Sequence, residues 1–386
     1  MLISIIMPVY NNEKYFPLAV KSIVEQDYLQ WELIIIDDGS TDKTSIIADK
    51  IAKEDERITV IHQSNQWIYA SLNRGIEEAK GDYIYFINSD DKIEKGGLGL
   101  IAKNAERFKP DVIWTKVLVH ECDSEQNITA YNVGKWDEYV KYTSFYKNKT
   151  EVRNNWPYLL SSYLAQNQAN LYCRKLLRKH KFRTDVYAAD LLFNIAIAPD
   201  VNSALVLKEP VYDFFIYKSN KLNASVGKYY SYEHDMFNEI YQKYMDLFGE
   251  WKLSTDNYQK LLVGRRLKQV THEINSLFYK TCPLSLDQKL KQILCKIPDE
   301  TVIACAKLEH REEELESRIL SGLRILLLRE EIKQDSEMYF AYELLESLLR
   351  YEKDEEDFRK IENAVWHPYN PAHIGQIFYN KLKRDR

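Results

Sequence analysis

No apolar run in this chain is long enough to span a bilayer, so no transmembrane helix is expected. Cysteine is scarce. Cys122, Cys173, Cys282, Cys295 and Cys305 are scattered, odd in number and without metal-ligand spacing, so they read as reduced thiols of a cytoplasmic protein. There is no excess of positive charge either: the formal net charge of -5 argues against a dedicated nucleic-acid binder. The phosphate-cradling glycine loops are missing too. Neither G-x-x-x-x-G-K-[ST] nor a G-x-G-x-x-G after the first strand occurs, which weakens a P-loop or dinucleotide reading. The start, Met1 to Pro8, lacks the basic region and long apolar stretch of a signal peptide and reads as a strand.

What is present is an apolar fraction of 45% in 386 residues, enough for one large or two moderate domains. Short apolar runs at Ile3 to Val9, Leu33 to Ile36, Arg57 to His62 and Tyr83 to Ile87 suit buried parallel strands. Helical periodicity separates them: Tyr15, Phe16, Ala19, Val20, Ile23 and Val24, then Lys43 to Glu54, then Tyr69 to Ala79. The alternation predicts an α/β fold with a doubly wound sheet. Strand-like stretches at Val112 to Val119 and Ala204 to Tyr217 complete a first domain, set at residues 1–230 with halves at 1–110 and 111–230. From Tyr230 the pattern turns to amphipathic helices, with one stripe of Met236, Phe237, Ile240, Tyr241, Tyr244 and Leu247. Further stripes run through Leu267, Val270 and Ile274, then Leu315, Ile319 and Leu323, then Tyr339, Tyr342 and Leu345, so residues 231–386 form a helical C-terminal domain.

In open α/β sheets, ligands bind beyond the carboxyl ends of the strands. Three polar segments fall there: Pro8 to Asn12, Asp37-Asp38-Gly39-Ser40 and Asn88-Ser89-Asp90-Asp91. The Asp38 carboxylate can accept from a base N–H or a ribose hydroxyl, although Asp-Gly-Ser alone is also an ordinary turn capping the next helix. Asp90 and Asp91 repel one another unless solvent or a cation compensates, and their hard oxygens suit magnesium or manganese. A diphosphate with no glycine cradle needs a counter-charge, and a metal supplies one.

Ile6-Met7-Pro8-Val9-Tyr10-Asn11, Ile36-Asp37-Asp38-Gly39-Ser40-Thr41-Asp42, Asn73-Arg74-Gly75-Ile76, Ala79-Lys80-Gly81-Asp82-Tyr83 and Asn88-Ser89-Asp90-Asp91 follow one another in the order of family 2 glycosyltransferases. The chain resembles that family over residues 3–95 closely and 165–226 more loosely. The resemblance implies a GT-A fold, a Rossmann-like mixed sheet flanked by helices, and an inverting transfer from a nucleoside-diphosphate sugar, usually with Mn2+ or Mg2+. Carried over by motif, Pro8, Tyr10 and Asp38 line the nucleoside pocket, Asp90 faces ribose or metal, and Asp91 binds the metal. Asn88 departs from the first aspartate of the family's Asp-x-Asp. Trp67 stands where a subset of the family has glycine, in a segment similar to Gly-Ile-Tyr-Asp-Ala-Met-Asn.

The base that deprotonates the acceptor is implied to lie in Phe182-Arg183-Thr184-Asp185-Val186-Tyr187-Ala188-Ala189-Asp190, with Ala189 in place of a usual Glu. Asp190 is the assigned catalytic residue and Asp185 the reserve; Asp190 also suits a helix N-cap before Leu191. Ala169 to Arg174 resembles an acceptor-side segment. Phe215 and Tyr217 replace an Arg and a His of the family; Lys218 and Lys221 read first as solvated lysines, with assistance to the leaving group as the alternative, and Ser225 matches weakly.

The function expected is an inverting, metal-dependent hexosyl-type transferase with a UDP-sugar donor and a glycan, glycolipid or glycoprotein acceptor, in polysaccharide or glycoconjugate biosynthesis. The alternative is a GT-A-like carbohydrate-binding or scaffolding protein without catalysis; a nucleotidyltransferase lacks its glycine-rich loop. The basic end, Lys381, Lys383, Arg384 and Arg386, suggests peripheral association with the inner face of the membrane, against the plainer reading of a solvated helix end. The helical tail is a candidate surface for homo-oligomers.

Overall fold

The structure, a computed structural model, describes residues 1–123, 125, 127–131, 142–162, 166–217, 227–253 and 255–329. Lys218, Lys221, Ser225, the stripe from Tyr339 and the basic end at Lys381 to Arg386 lie outside them. The chain divides into two compact units between residues 224 and 225.

The first unit is built on a ten-stranded mixed sheet. Its strands are β1 (Ile3–Val9), β2 (Trp31–Asp37), β3 (Ile58–His62), β4 (Tyr83–Phe86), β5 (Lys92–Ile93), β6 (Val112–Cys122), β7 (Ile128–Ala130), β8 (Ser144–Tyr146), β9 (Leu171–Cys173) and β10 (Ala204–Tyr217). The main path runs β3-β2-β1-β4-β9-β6-β10-β5. The first four strands are parallel, and the short β9 enters antiparallel between β4 and β6. Every residue of β1 is buried, as expected for a strand covered on both faces. The helices are α1 (Phe16–Val24), α2 (Thr44–Glu54), α3 (Ile68–Glu78), α4 (Gly97–Phe108), α5 (Lys149–Ser162), α6 (Arg174–Leu177) and α7 (Ala189–Ile197).

Two features of this unit position the site. Gly75 lets α3 lie directly on β1, since a Cβ there would sit 2.3 Å from the Ile6 side chain. The ends of α3 are thereby fixed relative to the carboxyl edge of the sheet. In β10, register shifts against β6 flank Pro210, and bulges of this kind re-aim the side chains that follow. Tyr212 and Phe215 lie just beyond them.

The second unit is helical: α8 (Glu233–Glu250), α9 (Asp256–Ser276), α10 (Leu286–Lys291), α11 (Glu300–Leu308) and α12 (Glu312–Arg329). The apolar stripe of α8, Met236 to Leu247, is buried as its spacing requires. Beneath it lies a polar network. Fully buried Arg266 bonds to Glu273 at 2.6 Å and Asn238 at 2.9 Å, and His234 sits between Glu273 at 2.7 Å and Asp299 at 3.0 Å. The charged stretch at Glu309 to Glu316 includes Glu314, which pairs with Arg311 and Arg318.

Candidate functional site

Three loops at the carboxyl ends of β1, β2 and β4 are laced together by two asparagines. Asn11, in the left-handed region at φ 45°, accepts on its side-chain oxygen from Thr41 N–H at 2.7 Å and donates its own backbone N–H to the Ser40 hydroxyl at 3.0 Å. Asn12 donates through its side-chain amide to Ser89, to the carbonyl and the hydroxyl, each at 3.0 Å. The polar segments singled out in the sequence therefore meet at one edge. Tyr10 stands there 48% exposed, free to meet a ligand. Pro8 is buried inside β1 beside Ile36, so its contribution is to the floor of the edge and not its open face.

The two acids after β2 divide their work. Asp37 is buried and accepts from Ser40 N–H at 3.1 Å, the Ser45 hydroxyl at 2.6 Å and His62 Nδ1 at 2.8 Å. Burial pushes its carboxyl up, but these bonds outweigh it and hold it below its usual value. Asp37 thus closes the Asp-Gly-Ser turn. Asp38 does not cap α2, whose first turn is instead met by Asp42 at Thr44 N–H, 2.9 Å. The Asp38 carboxylate reaches across to the loop after β3, taking Gln63 Nε2 at 2.7 Å and Gln66 N–H at 2.9 Å on one oxygen. Gly39 is required at this crossing: its φ is +78°, and a Cβ would sit 2.8 Å from Asn65 N.

Trp67 follows at once, with φ 75° and ψ 161°, a region that is essentially glycine's. Tryptophan occupies a glycine backbone here. Its carbonyl starts α3 through Ala70 N–H and Ser71 N–H, which holds the strained residue in place, and its side chain is 49% exposed.

The acids after β4 also separate. Asp91 is buried, and both of its oxygens are taken by protein donors: Phe215 N–H at 3.0 Å on one, the Tyr212 hydroxyl at 2.7 Å and Asn88 Nδ2 at 2.9 Å on the other. Burial first, then the charge of Asp90, pushes its carboxyl up against those bonds. Where the sequence reading expected a metal ligand, the structure places a buried Asp91 carboxylate held by three protein donors. Asp90 is half-buried, and burial pushes it up to about 6, so a cation there would offset a real penalty. No group of three or more His, Cys, Asp or Glu among the described residues could hold a metal by itself. Magnesium commonly uses one or two carboxylates and completes its shell from phosphates and water, so a single Asp90 fits that pattern.

Phe215 and Tyr217 do not supply the cations of the family pattern. They pack with Tyr15 and Cys122, and the Tyr217 hydroxyl donates to the Asp90 carbonyl at 3.2 Å. The ammonium of Lys92 lies 4.9 Å over the Phe215 ring, a partly buried cation next to Asp91 that sequence reasoning passed over. Its signal was only its adjacency to the acidic pair.

Asp190 lies in the first turn of α7, whose N-cap is Ala188, so it is not the cap. Its carboxylate accepts from Leu191 N–H at 2.9 Å, and burial pushes it up to about 6. Asp185 is exposed and locked to Arg183 at 2.6 Å, which holds its carboxyl down. Between the two, Asp190 has the environment of a base near neutrality. Ala169 to Arg174 forms β9 and its flanks: Leu171 and Tyr172 are buried and Asn170 accepts from Thr115 N–H at 3.2 Å, so this segment is sheet interior.

Comparison with known proteins follows the same outline. A profile of glycosyl transferase family 2 matches residues 4–177. An uncharacterized glycosyltransferase, EpsJ of Bacillus subtilis, is 24% identical over 84% of this chain and 91% of its own length. Glycosyltransferase GlyG of Streptococcus pneumoniae is 30% identical over 47% of this chain and 58% of its own. A crystal structure of S. aureus TarS, residues 1–349, in complex with UDP-GlcNAc is similar with a TM-score of 0.55 at 20% identity, covering 84% of this chain and 85% of that one. At that identity the likeness speaks for the fold.

Proposed function

Residues 4–177 form a family 2 glycosyltransferase domain on a GT-A-like fold, and from that premise we propose an inverting transfer of a sugar from a UDP-sugar to a glycan, lipid-linked or protein-linked acceptor. The reading is carried by the laced edge: the loops of Tyr10, Asp38 and Asp90 meet where an open α/β sheet takes its ligand. Asp38 and Tyr10 face the nucleoside, with Pro8 beneath. Asp90 takes the diphosphate side. Asp91 stays inside as the anchor that orients the loop.

A Mn2+ or Mg2+ ion held by Asp90 would supply positive charge for the diphosphate. The residues do the rest. The carboxylate of Asp190 takes the proton of the acceptor hydroxyl while its oxygen attacks the anomeric carbon, and the bond to the diphosphate oxygen breaks with its electron pair. UDP as the base is supported by the fold shared with the UDP-GlcNAc complex of TarS.

The test is release of nucleoside diphosphate from UDP- and GDP-sugars, with and without manganese, by the native chain, Asp90→Ala and Asp190→Asn. Asp190→Asn should keep nucleotide binding and lose turnover. Absence of both turnover and metal-dependent nucleotide binding across these donors sinks the reading.

A further inference from the structure

Trp67 is one of six described residues other than glycine with a positive φ. Lys109, at φ 47° and ψ 49°, sits in the ordinary left-handed well. Trp67 does not, because its ψ of 161° places a bulky side chain where glycine is nearly the only occupant. The cost falls on the folded chain. No specific contact of the indole offsets it: the side chain is half-exposed and makes no hydrogen bond, ring stack or cation–π contact among the described residues.

The strained residue is held firmly beside Asp38. Gln66, its neighbour, gives its backbone N–H to the Asp38 carboxylate at 2.9 Å, and Gln63 gives Nε2 to the same oxygen at 2.7 Å. The Gln63 amide also donates to Ser71 Oγ at 3.1 Å, which ties this loop to the first turn of α3. Asn73 exchanges two hydrogen bonds with the Phe182 backbone, both at 2.8 Å, and so anchors the helix itself. Both protein donors to Asp38 fall on one oxygen. The other has no partner among the described residues, although the side chain is buried. In the order β3-β2-β1-β4, Asp38 and the loop into Trp67 follow β2 and β3, whereas Asp90 follows β4 on the far side of β1. A donor with its diphosphate at Asp90 therefore turns its base toward Trp67.

We propose that the Trp67 indole is a stacking face for the nucleobase of the donor, so that the strain carried by the free chain is offset once nucleotide is bound. The inference rests on the reading of this edge as a nucleoside-diphosphate site. Stacking needs a flat apolar surface that is open to solvent in the free protein, and a half-exposed tryptophan offers the largest one available to a side chain. Stacking alone tolerates any base, because every base has a π-face. Selection then falls to the open oxygen of Asp38, which accepts from a base N–H. Backbone strain at Trp67 and the unpartnered oxygen at Asp38 thus describe two sides of one base pocket.

Calorimetry on the native chain, Trp67→Phe, Trp67→Ala and Trp67→Gly, with manganese present, compares the tighter-binding of UDP and GDP with inorganic diphosphate. The nucleotide should bind about tenfold more weakly to the alanine and glycine chains, and within about threefold of native to Trp67→Phe, which keeps an aromatic face. Diphosphate has no base, so its affinity should not change. Trp67→Gly relieves the backbone and Trp67→Ala does not, so equal losses in the two assign the effect to the ring. Emission of the native chain should fall on nucleotide binding and not on diphosphate binding, a signal absent from Trp67→Phe. Nucleotide bound equally by the native, alanine and glycine chains overturns the inference, as does a loss of diphosphate affinity as large as that of the nucleotide. A native chain that binds neither nucleotide nor diphosphate overturns the donor reading itself, so the two failures are told apart.

Discussion

The phenol of Tyr212 donates to the Asp91 carboxylate at 2.7 Å, across 121 residues of chain, and this bond helps turn one of two adjacent acids inward. Asp91→Ala should therefore act on stability, losing about 3 kcal/mol as three donors are left without their acceptor. Asp90→Ala should leave the thermal midpoint within about 2 °C of the native value and abolish metal-dependent nucleotide binding. Thermal scans beside calorimetry with UDP and manganese check both. The reverse pattern would return the metal to Asp91.

Asp38→Ala unties the loop after β3. Hydrogen exchange at Gln63 to Trp67 should accelerate at least tenfold, and UDP binding should weaken by a similar factor, roughly the worth of a charge-assisted bond. Loss of binding with an unchanged loop would mean that Asp38 meets the nucleoside without supporting its wall.

At Trp67 the sign of the effect is unusual. The residue holds a glycine conformation at a cost of about 1–3 kcal/mol, and half of its side chain is exposed. Glycine gives back about 0.5–1 kcal/mol through its freedom in the unfolded chain. Trp67→Gly should thus leave stability unchanged or raise it by up to about 2 kcal/mol in denaturant titration. A loss above about 1 kcal/mol would show that the indole packs more than its exposure suggests.

Turnover should depend on pH through Asp190. The base works ionised, and burial sets its carboxyl to about 6, so the rate is full above that value and falls about tenfold per unit below it. Release of UDP from UDP-GlcNAc at saturating manganese, followed from pH 8 to 4.5, reads the limb. A rate flat across that range excludes Asp190 as the titrating base.

In the helical unit, Arg266→Ala leaves Glu273 buried without its partner and should cost about 3–5 kcal/mol. The bonds of His234 to Glu273 and Asp299 outweigh its burial and hold its folded value above 6.5. Its contribution is therefore complete below the unfolded value and fades as pH rises through the folded one. Exchange rates along α9 at pH 6 and pH 9, in the native chain and His234→Gln, measure this. Equal pH dependence in the two chains would rule it out.

The sequence by itself determined the four parallel strands β1 to β4, the helices between them and the acids at their carboxyl ends, because apolar period and turn chemistry are local properties of a few consecutive residues; the short β5, β7, β8 and β9 carry too little pattern to be read this way. Ile3 to Val9 and Ala204 to Tyr217 could be read to the residue, and the stripe of α8 likewise. Tertiary structure alone decided which acid does what. Asp90 and Asp91 are indistinguishable as letters, and Tyr212 and Phe215, donors from far along the chain, set Asp91 apart. Tyr212 reaches Asp91 only after the register shifts at Pro210, and Tyr69 reaches Tyr187 only because Gly75 lets α3 lie against β1. Hydrogen-bond partners separated by about a hundred residues are set by register and close packing, and neither leaves a periodic trace in sequence.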